Sequence, residues 1–253
     1  ECGFGYMKMD YNETIGIGCD GAESVGEGLR QNVEASLSFV ERVKKEVPGI
    51  ILENCASGGH KLEPRMMRMC SMASFSDAHE CEEIPVIAAN LHRCILPSQS
   101  QIWAVIRKDY DLKRIAYIMA STFLGRMCLS GDVTELNDEQ WHVIDEAMSF
   151  YMQVCSVIKD GTTYFHGEKF PSDRHPQGWQ GIVRKGGKNG GALVVVHTFA
   201  GPVPDEIQIK LPEKCGNHIE SIYSFREEVI GLKDGVLTIQ HPCEWEGIGI
   251  YLI

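Results

Sequence analysis

Two aspartates, each at the end of a short apolar run, are the residues of this chain best suited to chemistry. In "YMKMDYN" the alternation of a strand places Lys8, Asp10 and Asn12 on one face and the methionines on the other. An adjacent ammonium keeps a carboxylate ionised and so available as a nucleophile. Asp77 ends the run "FSD", where another strand gives way to a loop. On the rim of a barrel, carboxylates from strands two apart can face each other across a small ligand.

Both aspartates also admit a structural interpretation. Lys8 and Asp10 can form an ion pair that caps a strand. Asp77 can cap a helix that begins near Glu80. Taken one at a time, neither carboxylate is assigned to catalysis.

The loop between the two aspartates has the sequence "ENCASGGHKLEP". Cys55 and Ser57 supply a thiol and a hydroxyl, and the paired glycines that follow allow backbone N–H groups to approach a hydroxylated ligand closely. The same glycines suit a tight turn that binds nothing. The loop alone leaves both interpretations open.

The elements around these residues alternate as in parallel βα units from residue 3 to about residue 160. Strands are predicted over residues 5–10, 49–54, 71–77, 93–97 and 126–131. A helix between the first two strands has an apolar stripe of Leu29, Val33, Leu37, Val40, Val43 and Val47. A second helix is predicted over 138–159, with Asn137 as N-cap and Gly161 as its end. Its inward residues are predicted to be Trp141, Ile144, Met148, Tyr151, Val154 and Ile158.

Five parallel strands are fewer than the eight that close a barrel. We therefore predict that residues 1–160 are the last five strands of a (β/α)8 TIM barrel, its C-terminal half, with three βα units upstream. After residue 161 the sequence pattern changes to short runs in which apolar residues recur at every second position, separated by Gly, Pro, Asn and Asp. This change predicts an antiparallel β-sandwich domain over 161–253 and an α/β fold class for the chain.

Composition excludes several functions. A formal net charge of -11 argues against nucleic acid, and no apolar stretch approaches the ~20 residues of a membrane span. The ten cysteines are scattered without a C-x-x-C pair, which favours reduced thiols in a cytoplasmic protein. Neither they nor the nine histidines show zinc spacing, so no metal site is predicted. "GIGCDG" does not open a helix directly after a strand, which argues against dinucleotide binding.

Taken in order, the three stretches resemble the catalytic domain of the α-galactosidases (melibiases) of glycoside hydrolase family 36. "YMKMDYN" is similar to that family's K-x-D-[MY]-N strand, "ENCASGG" to its E-x-C-x-S-G-G loop and "FSD" to its W-x-S-D segment. "LSGDVTELNDEQWHVIDEAMSFYMQV" is similar to its last barrel strand and the following helix. The resemblance covers about residues 3–160, and the β domain carries no diagnostic motif.

The resemblance implies a retaining double displacement, with Asp10 as nucleophile and Asp77 as general acid/base. The apolar Phe75 beside Asp77 is expected to favour the protonated acid. The resemblance implies sugar-binding roles for Lys8, Asn12, Cys55, Ser57, Gly58, Gly59 and Lys61. It requires no metal or organic cofactor.

Several positions differ from the family pattern. Lys61 and Glu63 stand where members usually carry an arginine and an aspartate, and Ser74 stands where they carry a tryptophan. A lysine lacks the two-pronged contact of arginine, and serine offers no stacking surface. Glu80 competes with Asp77 for the acid role. These differences bear on leaving group and sugar identity more than on reaction type.

The function predicted is hydrolysis of terminal α-galactosides in small oligosaccharides of the melibiose and raffinose type. The same carboxylates would serve an α-N-acetylgalactosaminidase or an α-galactosyl transglycosylase. A non-catalytic carbohydrate-binding or assembly module is the alternative from another class, and the presence of Lys8, Asp10 and Asp77 together argues against it. A homodimer or homotetramer of the full-length protein is left open.

Overall fold

The structure is a computed structural model that describes residues 3–10, 19–74, 76–78, 82–167, 174–187, 190–227 and 229–253. Contacts within the chain divide it into two compact units, Glu1–Asp77 and Ala78–Ile253. The boundary predicted near residue 160 instead follows the change in secondary structure. That boundary and the half barrel both stay predictions.

The described residues of the first unit include three parallel strands and two α-helices. Its elements are β1 (Tyr6–Asp10), α1 (Val25–Glu46), β2 (Ile51–Cys55), α2 (Pro64–Met69) and β3 (Met72–Ser74). β2 pairs in parallel with both β1 and β3. The three strands predicted in this region are confirmed, with β3 over fewer residues than predicted.

Helix α1 has a capped start and one buried stripe. The Ser24 side chain accepts a hydrogen bond from the Glu27 N–H, and this cap fixes the first turn. The predicted stripe is confirmed in the middle of the helix, where Val33, Leu37, Val40 and Val43 join a core cluster with β1, β2 and α2. Leu29 and Val47, also predicted to face inward, are each 44% exposed because they lie towards the helix ends.

The second unit begins with further α and β elements. They are α3 (Ile84–Leu91), β4 (Ser100–Ile106), α4 (Leu112–Ser121), β5 (Arg126–Gly131) and α5 (Asp138–Asp160). The strand predicted over 93–97 is wrong. Helical hydrogen bonding continues past α3, with the Ile95 N–H donating to the Leu91 carbonyl, and Pro97 then begins a tight turn. The strand is instead the following run "SQIWAVI", which pairs in parallel with β5.

Helix α5 agrees closely with its predicted bounds. The Asn137 side chain accepts from the Gln140 N–H, and the Gln140 side chain accepts from the Asn137 N–H, which makes a capping box. The helix ends at Gly161, as predicted. The buried residues of the predicted inward face are Ile144, Val154 and Ile158. Met148, predicted inward, is 41% exposed.

The rest of the second unit forms two antiparallel sheets. In spatial order, one contains β10 (Ile219–Tyr223), β13 (Gly247–Leu252), β8 (Ala192–Thr198), β7 (Trp179–Lys185) and β6 (Thr162–Gly167). The other contains β11 (Val229–Lys233), β12 (Val236–Gln240) and β9 (Glu206–Lys210). One hydrophobic cluster joins the two sheets, including Val194, Ile209, Leu237 and Ile250. The period-two runs predicted after residue 161 are confirmed as strands.

Two further features of the described residues are the state of their cysteines and the character of their helices. No disulfide joins the eight cysteines that the structure describes. Among the described residues, no helix has the length and apolar character needed to cross a membrane.

His197 on β8 is a completely buried titratable group. Its Nε2 atom lies 3.2 Å from the Ser121 Oγ, and the Tyr117 ring packs edge-on against the imidazole. Burial lowers the pKa of His197 to about 3, although a hydrogen bond with the Tyr117 backbone opposes the change. The imidazole is therefore neutral in the folded protein at neutral and mildly acidic pH.

We expect the free energy of unfolding to fall as the pH is lowered from 7.5 to 5. In the unfolded chain His197 takes up a proton near pH 6.5, whereas in the folded chain it does so only near pH 3, so stability is lost below pH 6.5. At pH 5 this histidine accounts for about 2 kcal/mol of the loss. Urea titrations of His197→Gln should lack that part of the pH dependence. The exposed control His218→Gln should keep it, and an unchanged slope in His197→Gln would contradict neutral burial.

Candidate active site

Four polar side chains of the first unit lie on one face of paired strands. Lys8 on β1 lies opposite Glu53 on β2, and Asp10 lies opposite Cys55. Residues paired directly across two strands point to the same face of the sheet. The other face carries Met9, which belongs to the core cluster with α1 and α2. Polar and apolar side chains of β1 are thus separated as their alternation predicts.

The thiol of Cys55 is the point at which these groups meet. Burial raises the pKa of the thiol, and the Asp10 carboxylate, which accepts a hydrogen bond from it, adds to the rise. The Lys8 ammonium and a hydrogen bond from the Gly58 N–H to the sulfur act in the opposite direction. The thiol is therefore protonated at neutral pH, and Lys8, Asp10 and Gly58 all act on one sulfur atom.

The loop after β2 turns sharply and packs on the loop after β3. Ser57, Gly58 and Gly59 have left-handed backbone angles, with φ of 43°, 64° and 120°. A Cβ atom added at Gly58 would lie 2.4 Å from the backbone nitrogen of Asp77 and 2.4 Å from the Ser76 Cα. No side chain fits in that space, so the two loops are in direct backbone contact.

These contacts bring both predicted aspartates to the same end of the parallel strands. Asp10 closes β1 and contacts Cys55, whereas Asp77 follows β3 and lies against Gly58. Both aspartates are exposed. The end of the strands therefore presents two carboxylates together with an ammonium and a protonated thiol, which suits nucleophilic and acid–base chemistry.

Glu53 is a buried carboxylate that the sequence analysis did not single out. Its side chain is 3% exposed, and the Lys8 Nζ lies 3.7 Å from its Oε1. The hydroxyls of Tyr6 and Ser74 donate hydrogen bonds to its two oxygens. Lys8 thus has an ion-pair partner other than the Asp10 that the sequence analysis considered. The signals in the sequence are an ionisable residue inside the apolar run "GIILEN" and its match to the first residue of the E-x-C-x-S-G-G loop.

The remaining predicted binding residues are only partly described. Lys61 is partly buried, and this burial lowers the pKa of its ammonium, although the charge of Glu63 acts to raise it. The Lys61 carbonyl accepts a hydrogen bond of 2.7 Å from the Asn54 side chain. Asn12, Phe75 and Glu80 lie outside the described residues. Within the described ranges, no group of three or more His, Cys, Asp or Glu side chains is placed to hold a metal ion.

Solved structures match nearly the whole chain, whereas no protein-family model and no curated protein matches it. An α-galactosidase from Lactobacillus brevis matches with a TM-score of 0.75 and 15% identity, over 98% of this chain and 35% of that one. The GH36 α-galactosidase AgaA from Geobacillus stearothermophilus matches with a TM-score of 0.73 and 16% identity, over 98% of this chain and 35% of that one. The galactosidase domain of the α-galactosidase-sucrose kinase AgaSK matches with a TM-score of 0.71 and 16% identity, over 98% of this chain and 34% of that one.

The chain has the fold of the C-terminal region of GH36 α-galactosidases. At these identities the likeness concerns the fold, a parallel sheet with helices followed by antiparallel sheets. The chain spans 34–35% of the length of the GH36 structures described above.

We expect Gly58→Ala to destabilise the protein more than Gly49→Ala. Both glycines have left-handed φ angles, 64° and 85°, so alanine costs about 1 kcal/mol in backbone strain at either position. Only at Gly58 does the new Cβ meet backbone atoms, since nothing lies within 4 Å of it at Gly49. Urea titration should show a loss of about 2 kcal/mol or more for Gly58→Ala. Equal losses in the two variants would contradict the close packing of the loops.

Proposed function

We propose that the whole protein containing this chain is a retaining glycosidase that removes terminal α-D-galactosyl residues from oligosaccharides. The main support is the contact of the Gly58 loop with Asp77, together with the contact of Asp10 with Cys55. These contacts put two carboxylates at one end of a parallel sheet. The GH36 fold and the family resemblance of the same residues favour the same function.

In the proposed first step, the Asp10 carboxylate attacks the anomeric carbon of the galactosyl residue. Asp77 donates its proton to the glycosidic oxygen, and the bond from that oxygen to the anomeric carbon breaks as the ester bond to Asp10 forms. In the second step, Asp77 takes a proton from water, whose oxygen displaces Asp10 from the same carbon. Two inversions leave the α configuration. This mechanism requires carboxyl groups about 5–5.5 Å apart.

The surrounding groups are proposed to bind the sugar. Lys8 is a donor for sugar hydroxyls, and Cys55, whose thiol donates to Asp10, lines the site near the sugar 2-position. The left-handed turn at Ser57, Gly58 and Gly59 carries only one side chain, so a sugar can approach its backbone closely. Lys61 completes the pocket. A role for Asn12 rests on the family resemblance alone.

The proposal includes the larger architecture. Residues 1–160 would supply the last five strands of a (β/α)8 barrel and residues 161–253 a β-sandwich, in a cytoplasmic protein. AgaA variants have been crystallised with raffinose and with stachyose. We propose small α-galactosyl oligosaccharides of that class as substrates of the whole protein.

The proposed catalytic roles predict large losses of activity from two substitutions. In the whole protein, Asp10→Ala and Asp77→Ala should each lower kcat/KM on an oligosaccharide such as raffinose by roughly 10³-fold or more, because each removes a group that acts in the transition state. Asp145→Ala, on an exposed aspartate of α5, is the matched control and should retain activity. Wild-type turnover in both active-site variants would rule out the assignment.

Azide should distinguish the two aspartates. With an aryl α-galactoside, azide can replace the missing carboxylate of Asp10→Gly and should yield the β-galactosyl azide, after one inversion. In Asp77→Gly the Asp10 ester still forms, so azide should yield the α-galactosyl azide, after two inversions. NMR of the products reads the configuration directly. The reverse pattern would exchange the two roles.

A further inference from the structure

Glu53 lies at the centre of a hydrogen-bonded group drawn from three neighbouring strands. Tyr6 and Lys8 come from β1 and Ser74 from β3, on either side of Glu53 in β2. One hydroxyl donates to each carboxylate oxygen, and the Lys8 Nζ lies 3.7 Å from Oε1. Both oxygens are therefore held, and the carboxylate has little freedom to rotate.

A stabilising role alone explains this arrangement poorly. An ion pair with one buried member seldom stabilises a fold more than well-packed apolar side chains of the same volume, because the buried charge loses its hydration. The opposite face of the same strands is packed in the apolar way, with Met9 and Leu52 in the core cluster. The fixed charge of Glu53 on the polar face is better explained by its effect on its ion-pair partner, Lys8.

That partner is a long side chain close to the proposed nucleophile. A lysine has a flexible four-carbon stem and loses much conformational freedom when its ammonium is fixed. Lys8 is 32% exposed, and its charge acts on the Cys55 thiol, which in turn contacts Asp10. An anion buried beneath the sheet end holds such an ammonium without occupying the place of a ligand.

We propose that Glu53 is a positioning residue whose fixed carboxylate holds the Lys8 ammonium beside Asp10 and Cys55. The part of this inference that concerns catalysis rests on the proposed glycosidase function. Tyr6 and Ser74 hold the carboxylate, the carboxylate holds the ammonium, and the ammonium faces the sugar. Ser74, which stands where the family usually has a tryptophan, thus has the role of holding the Glu53 carboxylate in this chain.

A double-mutant cycle tests the catalytic part in the whole protein. Glu53→Gln should lower kcat/KM on an aryl α-galactoside by about tenfold or more, since a misplaced binding group costs that much. If Glu53 acts through Lys8, the double variant Glu53→Gln with Lys8→Met should be no more than about threefold worse than Lys8→Met alone. Glu34→Gln, on an exposed partner of Arg65, is the matched control and should keep wild-type activity. Fully additive losses would overturn the inference.

Labelling of the Lys8 amine tests the positioning part without any assay of activity. An amine held against a carboxylate reacts slowly with an acylating reagent, so Glu53→Gln should raise the labelling rate of Lys8 by about fivefold. The exposed Lys45 should label at an unchanged rate, as mass spectrometry of the digested protein will show. An unchanged Lys8 rate would overturn the inference. A faster rate in a protein that lacks galactosidase activity would uphold the positioning and reject the proposed function.

If Glu53→Gln does not fold, as judged by circular dichroism, the combined variant Tyr6→Phe and Ser74→Ala replaces it. This variant keeps the negative charge and removes the two hydroxyls that hold it. It should raise the Lys8 labelling rate by about twofold or more, because a carboxylate that rotates holds its ammonium less well. A rate equal to that of the wild type would overturn the inference.

Discussion

The approach of the Gly58 backbone to Ser76 and Asp77 is the constraint on which the candidate site depends. Loops after parallel strands usually vary independently of one another. Here, two such loops touch through backbone atoms, at a left-handed φ that leaves no room for a Cβ. The position of Asp77 is therefore tied to the turn after β2. The same turn donates the Gly58 N–H to Cys55, which contacts Asp10.

The register of β1 against β2 is the second requirement, and the apolar core sets it. A slip of one residue would exchange the two faces of β1, so Lys8 and Asp10 would meet the helices while Met7 and Met9 entered the site. Burial of Met9 with Leu52 against α1 and α2 penalises that slip. Glu53 adds to the specificity, because its carboxylate reaches Lys8 only in the observed register. The core thus positions the polar groups without touching them.

Local patterns predicted those parts of the structure that local physics determines. The alternation in β1 and the capping box of α5 both depend on neighbours in sequence, and both are present. The strand predicted over 93–97 was wrong because the same apolar residues are also compatible with the end of a helix. Only the chain beyond Pro97 distinguishes a strand from a helix end at this point. Glu53 was missed because its three partners come from the two strands on either side of its own. The paired glycines signalled a tight turn, but not the loop it would touch.

Burial also decides which polar pairs of this chain can carry chemistry. Ser121 and His197 lie 3.2 Å apart, as a nucleophile and its base would, but the histidine is completely buried and its pKa of about 3 makes it a poor proton acceptor at neutral pH. No substrate reaches such a pair without opening the core. Asp10 and Asp77 have the opposite character, since both are exposed, while the groups that hold their surroundings, Glu53 and Cys55, are buried. A rigid buried layer beneath exposed reactive groups is the arrangement that enzymatic catalysis requires.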